Sequence, residues 1–293
     1  MLTAWLHQAL ADFTAPLPVP ADPRRIISLA PSVTETLFAI GLGDKVAGVT
    51  QYCNYPPAAK ENAPVVAGFS DVNYEAVLRQ RPDLVAMPAD KIRNKEFLER
   101  LGLTVMPLDT RSITGLVAAI ESLGAATGQQ AEAEIVKARI EKGLAQAKAR
   151  AEGRARPRVL FSIMHSYEGL GYITEINAVG QDGFYSEMID IAGGENVYKG
   201  GLSFPRLSRE AVIFLNPDVI IDVVPYTENL EALRRDWLSL SSVEAIKNDR
   251  LFFLTDESDT VPGPRLDQTL AKLSLAFHPQ PLAQAVDENA GTD

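Results

Sequence analysis

The chain has 293 residues, 46% hydrophobic and 23% charged, with 28 Lys+Arg against 38 Asp+Glu and a formal net charge of −10. At about 100–200 residues per domain this length accommodates two domains, and the composition excludes a largely disordered chain. The acidic balance argues against nucleic acid as a partner, because phosphate neutralisation needs a basic surface. No run approaches the roughly 18 apolar residues of a membrane-spanning helix. One cysteine, Cys53, excludes an intramolecular disulfide and a cysteine-based zinc site, and His7, His165 and His278 lack the i, i+4 spacing of a helical metal site.

In chain order, residues 1–23 read as an N-terminal extension: a short amphipathic helix over Leu2–Phe13, then a linker punctuated by prolines from Pro16 to Pro23. The extension has no basic start, no unbroken apolar core and no cysteine for lipid attachment, so no export signal is read in it. From Arg25 the pattern is α/β. Strands are expected at Arg25–Ala30, Val46–Thr50, Leu84–Pro88 and Thr104–Asp109, with a helix after Pro31 capped by Ser32 or Thr34 and another at Lys95–Leu101. The second half repeats the alternation. Its strands are Val159–Ile163, Asp218–Val224 and Leu251–Thr255; its helices lie near Tyr185–Ala192, Arg209–Leu215, Leu230–Leu238 and Leu266–Phe277. Short strands alternating with helices imply mainly parallel, doubly wound sheets.

Between the halves, Gln129–Gly153 is rich in Ala, Glu, Lys, Arg and Gln, all good helix formers. Val136, Ile140, Leu144, Ala147 and Ala151 draw one apolar stripe. A helix of about 22 residues spans about 33 Å, enough to bridge two lobes. The resulting division is 24–127 for an N-terminal α/β lobe, 128–154 for the interlobe helix, 155–278 for a C-terminal α/β lobe and 279–293 for a polar tail.

An internal repeat supports two lobes. Residues 69–85 align without gaps on 204–220, matching Phe69 with Phe204, Glu75 with Glu210, Ala76 with Ala211, Val77 with Val212, Pro82 with Pro217 and Asp83 with Asp218. Asn73 and Ser208 are natural N-caps, which puts Glu75 and Glu210 in a helix's first turn, where the dipole favours an anion. Two such lobes form a cleft, and ligands of parallel sheets sit outside the carboxyl ends of the strands. The segments leaving those ends carry Tyr52, Tyr55, Phe69, His165, Tyr167, Phe184, Tyr185, Phe204 and Tyr226. His165 is a hydrogen-bonding residue or a ligand for haem iron or cobalt; Cys53 reads as a small buried thiol.

The runs SLAPSVTETLFAIGLGDKVAGVT, QYCNYPP and NYEAVLRQRPDLV, followed by GGENVYKGG and FPRLSREAVIFLNPDVII, resemble the substrate-binding proteins of ABC importers for cobalamin, haem and iron–siderophores. The likeness spans about Arg25 to Phe277 and is nearest to the cobalamin-binding branch, through QYCNYPP and SFPRLSRE. It implies the class III periplasmic-binding-protein fold: two Rossmann-like α/β lobes bridged by one long helix, with little hinge closure. It implies a monomer, located in the periplasm or at the cell surface, that carries cobalamin or another corrinoid as transported ligand, needs no cofactor, and docks on an ABC permease dimer through Glu75 and Glu210. By position, Tyr52, Phe69 and Phe204 fall on aromatic cleft sites and Arg265 on a polar one. The family often has Trp where this chain has Phe69 and Phe204, and Pro88 occupies a further aromatic position.

Enzyme signatures are missing. There is no G-x-S-x-G elbow, no H-E-x-x-H and no phosphate loop. GLGDKVAG follows a helix and precedes a strand, the wrong order for a dinucleotide loop. Asp256, Glu257 and Asp259 read as a solvated turn. A two-lobed α/β enzyme is the competing class. Among carriers, haem or a ferric siderophore is the rival ligand, disfavoured by a rim whose candidate cations are few: Lys91, Arg206 and Arg265.

Overall fold

The structure, a computed structural model, describes residues 18–68, 71–165, 171–225, 227 and 229–279, with Met164 and His165 through their backbone alone. The expected helix at 2–13, the residues Phe69, Tyr167 and Tyr226, and the tail beyond residue 279 lie outside them. Strands that read as unbroken apolar runs become buried strands of two separate sheets, as parallel strands covered on both faces must. In the first lobe these are β1 (Ile26–Ser28), β2 (Val46–Thr50), β3 (Val65–Ala67), β4 (Leu84–Pro88) and β5 (Val105–Leu108), all parallel in the order β3-β2-β1-β4-β5. Its helices are α1 (Pro31–Ala39), α2 (Ala58–Asn62), α3 (Tyr74–Arg79), α4 (Ile92–Arg100) and α5 (Ile113–Thr127). A helix α6 (Gln130–Ala151) of 22 residues leads to the second lobe.

The second sheet has β6 (Arg158–His165), β7 (Glu175–Ala178), β8 (Glu195–Asn196), β9 (Arg206–Ser208), β10 (Val219–Val223) and β11 (Leu251–Leu254). Its order is β11-β10-β6-β7-β9, with β8 also on β6. The pairs β10–β11 and β6–β10 are parallel, whereas β7 pairs antiparallel with both neighbours. The helices are α7 (Phe184–Ile191), α8 (Arg209–Leu215), α9 (Leu230–Leu238), α10 (Glu244–Lys247) and α11 (Leu266–Phe277). The three-residue β3 and β9 and the two-residue β8 carry too few side chains for a periodic signal, so they went unread in the sequence.

The repeat is reproduced in three dimensions. Asn73 Oδ1 accepts from the Ala76 amide and Ser208 Oγ from the Ala211 amide, capping α3 and α8. Both copies end in a left-handed residue, Arg81 (φ 48°) and Asn216 (φ 43°). Asp83 then accepts from the amides of Arg24 and Arg25, and Asp218 from that of Arg158. The side chains of Arg25 and Arg158 donate back to the carbonyls of Gln80 and Leu215, equivalent positions of the two copies. Each Asp–Arg exchange ties the strand after the repeat to the first strand of its lobe, so β4 lies beside β1 and β10 beside β6.

The expected hydroxyl cap on α1 is not formed. Extended Ala30 caps it, and Pro31 starts it, where a missing N–H costs nothing. Thr34 is instead buried, exchanging a 2.7 Å hydrogen bond with Ser28 and donating to Cys53 Sγ at 3.0 Å. Nor is α6 a bare strut. It buries Ala133, Val136, Ile140 and Ala147 and packs on α5 and α11. One continuous apolar cluster runs from Leu37 and Ile120 through Val136 and Ile140 to Phe161 and Leu273, joining both lobes.

Candidate ligand cleft

A cavity of about 620 Å3 opens between the lobes. Leu29, Ala30 and Pro31 reach it from the end of β1, Thr50, Tyr52, Asn54 and Tyr55 from β2, Gly68 from β3, and Pro88 and Lys91 from β4. Glu35 of α1 adds a carboxylate. Opposite stand Ile163 of β6, Val223, Val224 and Pro225 at the end of β10, and Glu257, Thr260 and Val261 beyond β11. Every contributing strand does so from its carboxyl end, where a parallel sheet leaves its crevice. The wall is mainly apolar with a few directed polar groups, as a preformed small-molecule site requires.

Among the described residues, polar side chains lining the cavity join the two lobes at two places. Arg265, immediately before α11, donates from Nε and an Nη to the two oxygens of Glu35 at 2.8 and 2.6 Å. Its guanidinium carbon also lies 3.6 Å from the centroid of the Tyr55 ring. Burial raises the Glu35 pKa above the ordinary value, and the Arg265 hydrogen bonds and charge only partly reverse it. Glu257 accepts from Asn54 Nδ2 at 2.6 Å. Asn54 Oδ1 in turn accepts from Lys60. Behind the wall, the Tyr185 hydroxyl donates to the Thr260 carbonyl at 2.7 Å; burial, then the Asp259 charge, raises its pKa.

The sequence candidates separate. Tyr52 lines the cavity, 44% exposed, and Tyr55 joins it. His165 ends β6, the strand whose Ile163 reaches the cavity. Phe184 is a core residue instead, 5% exposed and edge-on to Tyr185. The reason is its register: Phe184, Met188 and Ile189 form the buried stripe of α7, an i, i+4 pattern visible in the sequence. Tyr185 supports the wall through Thr260 rather than lining it. Phe204 is 59% exposed but not on the cavity wall. Arg265 stands behind Tyr55 and Glu35. Arg206 at the second-lobe edge is ion-paired with Glu175.

The acidic turn is not uniformly solvated. Asp259 is 1% exposed, accepting from Thr269 and ion-paired to Lys272 at 2.7 Å; Glu257 faces the cavity, and Asp256 pairs with Lys272. Glu35, Asn54 and Thr260 were not singled out in the sequence. Glu35 had one signal: a carboxylate between the apolar Val33 and Leu37 in a helix where Ser32, Thr34 and Thr36 are buried as well. Cys53 is buried and bonded to Thr34 and Thr50. Among the described residues no three His, Cys, Asp or Glu side chains gather as a metal site, and no helix is long and apolar enough to cross a membrane.

Glu75 and Glu210 are both exposed in the first turns of α3 and α8. Glu75 meets Arg79 at 2.9 Å. Glu210 accepts from Ser208 at 2.8 Å, and its own backbone amide, then Ser208, hold its carboxyl below the ordinary range.

The family of periplasmic binding proteins matches residues 26–258. The chain belongs to this family. The vitamin B12-binding protein of Vibrio cholerae serotype O1 is 30% identical over 272 residues, covering 88% of this chain and 91% of the relative. Among solved structures, the periplasmic vitamin B12 binding protein BtuF of Vibrio cholerae superimposes with a TM-score of 0.75 at 25% identity, covering 88% of this chain and 98% of that one. A periplasmic haem-binding protein from Pseudomonas aeruginosa superimposes with a TM-score of 0.74 at 25% identity, covering 89% and 95%. The fold is therefore that of a periplasmic binding protein with two α/β lobes bridged by one long helix, and the family is one of binding proteins.

Proposed function

We propose that this periplasmic binding protein is the substrate-binding component of an ABC importer, capturing cobalamin or a related corrinoid in the interlobe cleft and delivering it unchanged to a permease. The cavity carries the proposal. Its aliphatic wall and its two tyrosines suit a broad ring, and removing apolar area from water yields roughly 25 cal/mol per Å2. Nanomolar binding needs about −12 kcal/mol net, within reach of several such contacts in a cleft that is already formed. The Glu257 carboxylate, facing the cavity with one oxygen accepting from Asn54, matches the N–H groups of an amide-edged corrinoid better than the carboxylates of haem or of an anionic siderophore. The B12-binding relatives support the same choice. Delivery rests on Glu75 and Glu210, one per lobe at equivalent repeat positions, facing cations of a permease dimer.

Haem is the second reading, favoured by the likeness to the Pseudomonas protein. Calorimetric titration with cyanocobalamin, dicyanocobinamide and haemin separates them. Submicromolar binding of either corrinoid, with haemin at least about tenfold weaker, is the expected result. No heat and no spectral shift with either corrinoid rejects the assignment.

A further inference from the structure

Three side chains from opposite lobes are stacked beside the cavity. Glu35, 4% exposed, grips both donor edges of Arg265, whose side chain is 14% exposed. The guanidinium in turn lies 3.6 Å from the centroid of Tyr55, close enough for direct face-to-cation contact. Tyr55 remains 44% exposed. Glu35 and Tyr55 line the cavity; Arg265 does not.

A guanidinium held bidentately is fixed in plane as well as in position. A ring resting on it has given up its freedom before any ligand arrives, and the group that orders it belongs to the other lobe. We infer that Tyr55 is a binding residue whose ring offers a stacking surface for the flat, apolar part of a macrocyclic ligand. Arg265 is a positioning residue that acts on binding through that ring rather than by touching the ligand. The inference rests on the cleft being the ligand site, and it adds which aromatic does the stacking and what holds it.

The test is a cycle of variants titrated with cyanocobalamin. Tyr55→Phe keeps the stacking ring and is expected within about twofold of the unmodified protein, whereas Tyr55→Ala weakens binding about tenfold or more. Arg265→Lys keeps the charge that Glu35 needs, so folding is preserved, but loses the planar fork; binding falls about fivefold. In the Tyr55→Ala background the same Arg265→Lys change costs nothing further, because the ring it ordered is gone. Tyr55→Ala binding as tightly as the unmodified protein overturns the inference. So does an Arg265→Lys loss that persists in full without the ring, which would place Arg265 directly on the ligand. Failure of the unmodified protein to bind cyanocobalamin, dicyanocobinamide or haemin overturns the cleft reading, and the role of Tyr55 falls with it; with binding intact, unchanged affinity in Tyr55→Ala overturns the role of Tyr55, and a cycle without coupling overturns the positioning role of Arg265.

Discussion

Two buried carboxylates of the second lobe are held in place by partners on other elements. Asp259 is satisfied by Thr269 and Lys272, and Asp222 accepts from the indole of Trp237 at 2.9 Å. His278 contrasts with them. It follows α11, is 5% exposed, and its Nε2 finds no hydrogen-bond partner among the described residues. Burial first, then the charges of Arg154 and Arg250, outweigh the opposing backbone of Gly193 and Ala192 and hold its pKa below the ordinary 6.5. Below 6.5 and down to that depressed value the unfolded chain binds a proton that the folded chain refuses, so stability is full above the window and is lost as pH falls through it. Urea titrations at about pH 7.5 and about pH 5 are expected to show a smaller acid loss in His278→Gln than in the unmodified protein. Equal losses would mean that His278 is not the group responsible.

Element boundaries were legible wherever local chemistry decided them. Arg209–Leu215, Leu230–Leu238 and Leu266–Phe277 match the sequence reading, and each has its own local signal: a Ser208 cap and Pro217 beyond the first, an Asn229 cap on the second, and Pro264 before and Pro279 after the third. Strands β7 and β9 were missed: EINA and RLS are short and mixed, and their partners are supplied by the lobe. The buried stripe of α6 was legible at Val136, Ile140 and Ala147, but the helices it packs on were not. Its Gly143 lies against α11, where an added Cβ would stand 2.7 Å from Asp267 Cβ and 3.1 Å from its Cα. Helix propensity alone predicts that Gly143→Ala stabilises by about 1 kcal/mol. The close approach reverses the sign, so a net loss of about 1–2 kcal/mol is expected in chemical denaturation. Exposed Lys142→Ala, on the same helix, should stay within about 0.5 kcal/mol.

At the scale of the molecule, the apolar cluster running through α5, α6 and α11 makes the two lobes one packed body, with links across the cleft mouth at Glu35–Arg265 and Asn54–Glu257. In the proposed function, a cleft built this way takes its ligand at little ordering cost, and the proposed docking on a permease falls to the outer surface. Replacing Glu75 and Glu210 together by Ala removes exposed carboxylates that do not line the cavity, so ligand affinity should be unchanged while transporter stimulation and uptake are lost. Uptake by the double variant at the unmodified rate would remove the docking role.

By itself the sequence determined the two α/β halves, the long helix between them and the duplicated block, because periodicity, caps and proline stops act over a few residues. It also brought out Tyr52 and Tyr55, since a residue just past a strand's carboxyl end stands at the mouth of a parallel sheet, and Pro88 through the family resemblance. Only the tertiary structure decided that Phe184 belongs to the core, that Glu257 faces the cavity while Asp259 is buried, and that Arg265 is spent on Glu35 and Tyr55. Those outcomes depend on groups as far apart as Glu35 and Arg265, 230 positions along the chain. Burial and charge pairing are properties of distance in space, and no local pattern encodes them.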